Sequence, residues 1–128
     1  MKAKFPGFKK CMAMMRSRDP EIQEDGFGWL ERHAAEYVHE FIEEFGTESD
    51  RGVQSWLMEL LGGTQSADAV EFLAGQLRNE DRNLRRNAIW ALKRVDTKEA
   101  RTRLWEARAF TFASAAERAA FIADLDAM

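Results

Sequence analysis

The sequence predicts an all-α protein in which about three helical hairpins stack into a solenoid, with a capping helix at each end. Asp19, Asp50 and Asp81 stand at intervals of 31 residues, a period typical of helical-hairpin repeats. When the three segments are superimposed without gaps, four aliphatic columns recur: Ile22, Val53 and Leu84; Leu30, Leu61 and Leu92; Val38, Ala69 and Ala100; Ile42, Leu73 and Leu104. Such columns predict a hydrophobic core that runs through the whole stack.

The clearest hairpin covers residues 81–108. Its first half carries apolar residues at the 3.6-residue spacing of an amphipathic helix, from Leu84 to Val95. Its second half carries apolar residues at the same helical spacing over a shorter stretch. Between the halves, Asp96 is predicted to cap the second helix, with Glu99 three residues later to complete a capping box.

This hairpin resembles a HEAT-type repeat, in the short bacterial form that phycobilin-lyase-like proteins also contain. The matching positions are Leu84, Arg85, Ala88, Ala91, Leu92, Val95, Asp96, Ala100, Leu104 and Ala107. The resemblance implies a right-handed α-solenoid of HEAT-like hairpins. It implies no particular chemistry, because one fold serves many functions.

The chain has 128 residues, 45% of them hydrophobic and 32% charged, which predicts one domain over residues 1–128. The predicted segments are an N-terminal capping helix in 1–18, repeats at 19–49, 50–80 and 81–111, and a C-terminal capping helix in 112–128. In the first repeat, Gly26 and Gly28 interrupt a helix at a cost of about 1 kcal/mol each relative to alanine. They predict close packing of a neighbouring helix.

The N-terminal capping helix is predicted over residues 8–17, where Phe8, Cys11, Met12 and Met15 share one side. Two uses of this side remain open: closing the end of the stack, or forming a partner groove with adaptable methionines.

We expect a cytoplasmic protein. No apolar run approaches the roughly 18 residues of a membrane span, and the basic N-terminal stretch lacks the pattern of a signal peptide. The single cysteine, Cys11, cannot form an internal disulfide.

No catalytic residue, metal or cofactor is expected. Glu36 and His39 match half of a carboxylate-bridged di-metal motif. The chain has only two histidines, so the second half cannot be built. Cys11 has no histidine near it in sequence to activate it.

Charge is strongly segregated although the formal net charge is only −3. Residues 19–50 contain eleven acidic side chains and one basic side chain, whereas residues 77–108 contain ten basic and five acidic ones. The sequence therefore predicts an acidic repeat beside a basic one.

The acidic side chains concentrate on the predicted second helix of the first repeat, where four glutamates are expected at the surface with His39: Glu36, Glu40, Glu43 and Glu44. In HEAT-like stacks the second helices line the concave face, so the resemblance implies that these carboxylates face a groove. Repulsion between glutamates four residues apart costs a few tenths of a kcal/mol. The face is therefore either a steering surface for a basic partner or a solvated helix face.

Trp90 lies about 120° from the apolar stripe of its helix, so it either packs sideways on the second repeat, which is favoured, or stands exposed as an anchor. Trp105 is expected at a contact between repeats. The predicted partner-binding residues are Glu36, Tyr37, His39, Glu40, Glu43, Glu44, Glu71, Trp90 and Arg101.

Together these features predict a non-enzymatic protein-binding module. The most concrete hypothesis is an inhibitor or immunity-type protein that neutralises a basic partner such as a toxin or nuclease. The alternative is a general assembly scaffold that binds through Trp90 and the basic third repeat. A nucleic-acid-binding or glycosylase-like HEAT protein is less favoured, because the acidic repeat would repel phosphate. No membrane partner is expected.

Overall fold

The computed structural model describes residues 4–127, and this part of the chain contains eight α-helices, two short 3-10 helices and no strand. The α-helices are α1 (Phe8–Met15), α2 (Pro20–Arg32), α3 (Val38–Thr47), α4 (Arg51–Gly62), α5 (Ala67–Gln76), α6 (Arg82–Val95), α7 (Lys98–Glu106) and α8 (Ala115–Asp126). The 3-10 helices are Ala34–Glu36 and Ala107–Ala109. The outermost parts of the two predicted capping segments, residues 1–3 and 128, lie outside the described residues.

The first helix of each hairpin begins at the same repeat position. Asp19, Asp50 and Asp81 are the N-caps of α2, α4 and α6, and each side chain accepts a hydrogen bond from a backbone N–H in the first turn. A capping carboxylate satisfies a donor that the helix itself leaves unpaired. The 31-residue spacing therefore records three helix starts.

The predicted cap of α7 is wrong by one residue. The Thr97 hydroxyl accepts the hydrogen bond from the Ala100 N–H at 3.1 Å. Asp96 instead ends α6 in the left-handed conformation, with φ 49°. Asparagine and aspartate tolerate this conformation better than most residues, so Asp96 serves the end of one helix rather than the start of the next.

The helices form two layers. One layer contains α4, α6 and α8, with α2 at its start, and the other contains α3, α5 and α7. Leu30, Leu61 and Leu92, at equivalent repeat positions in the first layer, are all fully buried. So are Ala69 and Ala100 in the second layer. The prediction of an all-α helical solenoid is confirmed.

One predicted core position is exposed. Ile22 retains 41% of its accessible surface, whereas its equivalents Val53 and Leu84 are buried. The helix α1 crosses close to α2 at Gly26. Ile22 lies one turn away from this crossing.

Small residues allow the closest helix contacts. A Cβ atom added to Gly62 in α4 would lie 2.9 Å from the Ala91 Cβ in α6, and one added to Gly26 in α2 would lie 2.7 Å from the Cys11 carbonyl oxygen in α1. The prediction of close packing is thus confirmed at Gly26. It is wrong for Gly28, where only the Arg32 guanidinium comes within 4 Å.

The helix α1 directs Cys11, Met12 and Met15 into the core, each at most 1% exposed. Burial raises the pKa of the Cys11 thiol, although nearby Lys10 acts in the opposite direction. The methionines are used in packing against α2 and are not open to a partner.

At the other end α8 packs against α6. Phe121 contacts the rings of Phe110 and Phe112, with centroids 5.8 and 5.1 Å away. The buried Asp124 carboxylate accepts two hydrogen bonds from Arg82, at 3.1 and 3.0 Å. These bonds raise the pKa of Arg82.

Candidate functional site

The exposed surface of α3 carries two acidic side chains that are free to bind a partner. Val38, Phe41 and Phe45 are buried on its inner side, while Glu40 and Glu43 are exposed on its outer side. Among residues 4–127, no lysine or arginine nitrogen lies within 4.0 Å of either carboxylate. Both charges therefore face solvent uncompensated.

Two of the predicted site residues precede α3 and do not share its outer side. Glu36 belongs to a 3-10 helix, and its carboxylate contacts His33 Nδ1 at 2.8 Å. Tyr37 is half-buried, with its ring 5.1 Å from that of Phe8. The expectation of one continuous helix face from Glu36 to Glu44 is wrong, because the chain makes a separate turn before Val38.

A basic residue of α1 neutralises the edge of α3 that adjoins it. Arg16 donates hydrogen bonds to Glu44 at 2.7 Å and to Glu48 at 2.8 Å. Burial alone would lower the pKa of Arg16, but the two carboxylates together raise it. Glu44 thus forms an internal ion pair. Glu40 and Glu43 remain as the glutamates of α3 without such a pair.

Charged contacts link the helices of the second layer. His39 Nε2 of α3 lies 3.3 Å from Asp68 Oδ2 of α5, and Arg103 of α7 donates a hydrogen bond to Glu71 of α5 at 2.6 Å. His39 and Glu71 therefore lie in the same layer as Glu40. Together they extend the charged surface from α3 across α5.

Trp90 lies in the other layer, on α6. It is 47% exposed, so the favoured expectation of sideways packing is wrong. The Arg86 guanidinium lies 5.3 Å from its ring. Beside it is a groove of about 320 Å³ that also includes Ser55 and Glu59 of α4.

Arg101 lies at a third place, on α7. Its Nη1 donates hydrogen bonds to the backbone oxygen of Asp96 at 2.7 Å and to the Asp96 carboxylate at 2.9 Å. The predicted partner-binding residues therefore do not form one surface. They divide among the acidic side of α3 and α5, the groove at Trp90, and the outer end of α7.

The most exposed large apolar side chain among the described residues is Trp105, at 72%. The expectation of a contact between repeats is wrong for it. The next helix along the chain, α8, packs against α6 rather than upon this part of α7.

Within residues 4–127, no three histidine, cysteine or acidic side chains lie close enough together to hold a metal ion. His33 and His39 contact different carboxylates on different elements. No helix in this described part of the chain is long and apolar enough to cross a membrane.

Comparison with protein families shows what the chain is similar to. A family model described as HEAT repeats matches residues 38–123, which run from the start of α3 into α8. No curated protein matches the chain.

Proposed function

The chain belongs to the HEAT repeat family, whose repeats are generally protein-interaction scaffolds, and from this premise we propose that it binds a basic protein through an acidic surface. We define the acidic surface as Glu40 and Glu43 of α3. The proposed module is non-enzymatic. Binding, rather than chemistry, is the role that its exposed helix faces suit.

The observation that carries the proposal is the absence of a cationic partner for Glu40 and Glu43 among the described residues. Neighbouring Glu44 has such a partner in Arg16. Unpaired like charges on one helix cost a few tenths of a kcal/mol per pair. The same charges raise the rate at which an oppositely charged protein associates, because they steer its approach.

In its finer form, the proposal is an inhibitor or immunity-type protein that covers the basic surface of a toxin or nuclease. Surfaces that bind nucleic-acid phosphates are lined with lysine and arginine. The acidic surface complements such a surface in charge. The proposal includes a cytoplasmic location, which suits the buried free thiol of Cys11.

The test is capture of binding proteins from lysate of the native host, followed by mass spectrometry. The variant Glu40→Lys/Glu43→Lys is compared with Glu24→Lys/Asp25→Lys, which makes the same charge change at exposed positions of α2. We expect the wild type and the α2 variant to retain one stoichiometric basic protein and the α3 variant to lose it. Equal retention by all three proteins would refute a role for the acidic surface.

The second candidate is an assembly scaffold that binds through Trp90. It is favoured by the exposure of this side chain beside the groove between α4 and α6. Aromatic side chains are frequent anchors of protein interfaces. Under this alternative, Trp90→Ala would lose several captured proteins, whereas Glu40→Lys/Glu43→Lys would retain them.

A further inference from the structure

Arg85 of α6 is a half-buried cation without an acidic partner. Three other half-buried arginines each lie within 4.0 Å of a carboxylate oxygen: Arg86, Arg103 and Arg108. Within the described residues, no carboxylate oxygen lies this close to Arg85. Because burial removes water from a charged group, its charge is normally compensated by an opposite one. The charge of Arg85 lacks this compensation.

Hydrogen bonds fix the Arg85 side chain without neutralising it. Its Nη1 donates to the backbone oxygens of Asn79 at 2.9 Å and of Glu80 at 3.0 Å. Its Nε is buried and has no acceptor among residues 4–127. Its Nη2 is accessible and donates to none of these residues either. The guanidinium is therefore held in place while the N–H donors of Nη2 stay available.

A second guanidinium without an acidic partner belongs to Arg78, which follows α5. Its central carbon lies 3.7 Å from the centre of the Phe110 ring. The Arg78 side chain donates no hydrogen bond to any residue in the part of the chain that the structure describes. Contact with an aromatic ring positions a guanidinium and leaves its N–H groups free to bind an anion.

Arg78 and Arg85 line the same cavity. It has a volume of about 490 Å³ and lies between the turn from α5 to α6 and the chain from Phe110 into α8. Sites for small molecules have volumes of roughly 300–1,000 Å³. Part of the wall is apolar and is formed by Leu77, Phe110, Phe112, Ala113 and Ala120. The cavity thus combines two cationic groups with an apolar wall.

Two carboxylates, those of Glu80 and Glu117, also line this cavity. Both residues are exposed, and neither carboxylate lies within 4.0 Å of a lysine or arginine nitrogen between residues 4 and 127. Solvent and salt screen exposed charges more strongly than half-buried ones. An anion inside the cavity therefore gains more from Arg85 than it loses by repulsion from these two glutamates.

We propose that this cavity binds a small organic carboxylate. Its two oxygens accept hydrogen bonds from Arg85 Nη2 and from Arg78, because a guanidinium matches the planar geometry of a carboxylate. Its apolar body lies against Leu77 and Phe112, which removes apolar surface from water and favours an organic anion over an inorganic one. The site includes neither Glu40 nor Glu43, so the inference goes beyond the function proposed for the acidic surface.

The experiment titrates the full chain with octanoate, phenylacetate and phenylbutyrate, and with the neutral amide of each, while NMR follows the backbone amide signals. We expect the carboxylates to shift the Thr111 signal and to bind about tenfold more tightly than their amides. Arg78→Gln should weaken carboxylate binding about tenfold. The control Arg18→Gln makes the same charge change at an exposed position outside the cavity and should leave binding unchanged. Glu80→Gln/Glu117→Gln should strengthen binding about two- to fivefold.

Several results would overturn the inference. These are no shift at Thr111 with any of the three carboxylates, equal binding of carboxylates and amides, and binding of inorganic phosphate as tight as that of the carboxylates. Unchanged affinity of Arg78→Gln, weaker binding to Glu80→Gln/Glu117→Gln, or a dimer by sedimentation that Arg78→Gln dissociates would also overturn it. Circular dichroism checks that each variant is folded. Glu40→Lys/Glu43→Lys should bind the carboxylates as the wild type does, so failure here is distinguishable from failure of the function proposed for α3.

Discussion

Gly26 and Gly28 lie two residues apart in α2. Replacing each of them with alanine should change the stability of the protein in opposite directions. A methyl group at Gly26 would lie 2.7 Å from the Cys11 carbonyl oxygen, 2.7 Å from the Met14 Cβ and 3.0 Å from the Met15 nitrogen. At Gly28 it would meet only the flexible end of Arg32, at 3.8 Å. We therefore predict that Gly26→Ala destabilises the protein and that Gly28→Ala stabilises it.

The magnitudes follow from two opposing terms. Alanine gains about 1 kcal/mol over glycine inside a helix at either position. At Gly26 the added carbon must push back the backbone of α1, and overpacking of this kind costs about 1–3 kcal/mol. Since rigid backbone atoms are involved, the upper end applies. The net result is a loss of about 1–2 kcal/mol for Gly26→Ala and a gain of about 0.5–1 kcal/mol for Gly28→Ala.

Thermal and urea unfolding of both variants beside the wild type measures these changes. One kcal/mol corresponds to a shift of about 3–5 °C in Tm for a domain of this size, so the two variants should separate clearly. A Gly26→Ala protein as stable as Gly28→Ala would show that α1 does not cross α2 at Gly26.

Two further predictions concern single buried groups. The pKa of the Cys11 thiol is raised by burial, so the folded state holds its proton more tightly than the unfolded state. The stability that this difference contributes is present below about pH 9 and is lost as pH rises through the raised pKa. Urea unfolding at a series of alkaline pH values should therefore show a steeper loss of unfolding free energy for the wild type than for Cys11→Ala. Parallel curves for the two proteins would contradict this. Asp124→Ala removes the acceptor of two Arg82 hydrogen bonds. Amide hydrogen exchange in α8 should therefore accelerate about tenfold, while exchange in α4 should not change. Unchanged exchange in α8 would refute its attachment through Asp124.

The periodic part of the structure could be predicted from the sequence because each capping aspartate acts locally. Asp19, Asp50 and Asp81 each accept a backbone hydrogen bond from the first turn of their own helix. The aliphatic columns follow from the same 31-residue period. Because the capping aspartate and the aliphatic columns recur in three repeats, they predict three helix starts and the helix layers that the repeats form.

The ends of the stack could not be predicted in this way, because the period treats every repeat as an interior one. Ala74 and Trp105 occupy equivalent positions, yet one is 4% and the other 72% exposed. The difference is the presence of α7 beside Ala74. Exposure at an end depends on where the chain goes next, which the repeat pattern does not encode.

The acidic surface was only partly predictable for a related reason. Arg16 and Glu44 form an ion pair at 2.7 Å although they are 28 residues apart and lie outside any repeat relation. No periodic signal connects them. Conversely, the isolation of Glu40 and Glu43 becomes visible only when the surrounding side chains are placed.

The most direct test of the proposed role is the association rate of the captured partner at a series of salt concentrations. The wild type and the control Glu24→Lys/Asp25→Lys should both associate rapidly at low salt. Glu40→Lys/Glu43→Lys should associate about tenfold more slowly there, with the difference shrinking as salt screens the charges. Identical rates and salt dependence for all three proteins would contradict the claim that this chain captures its partner through the acidic surface.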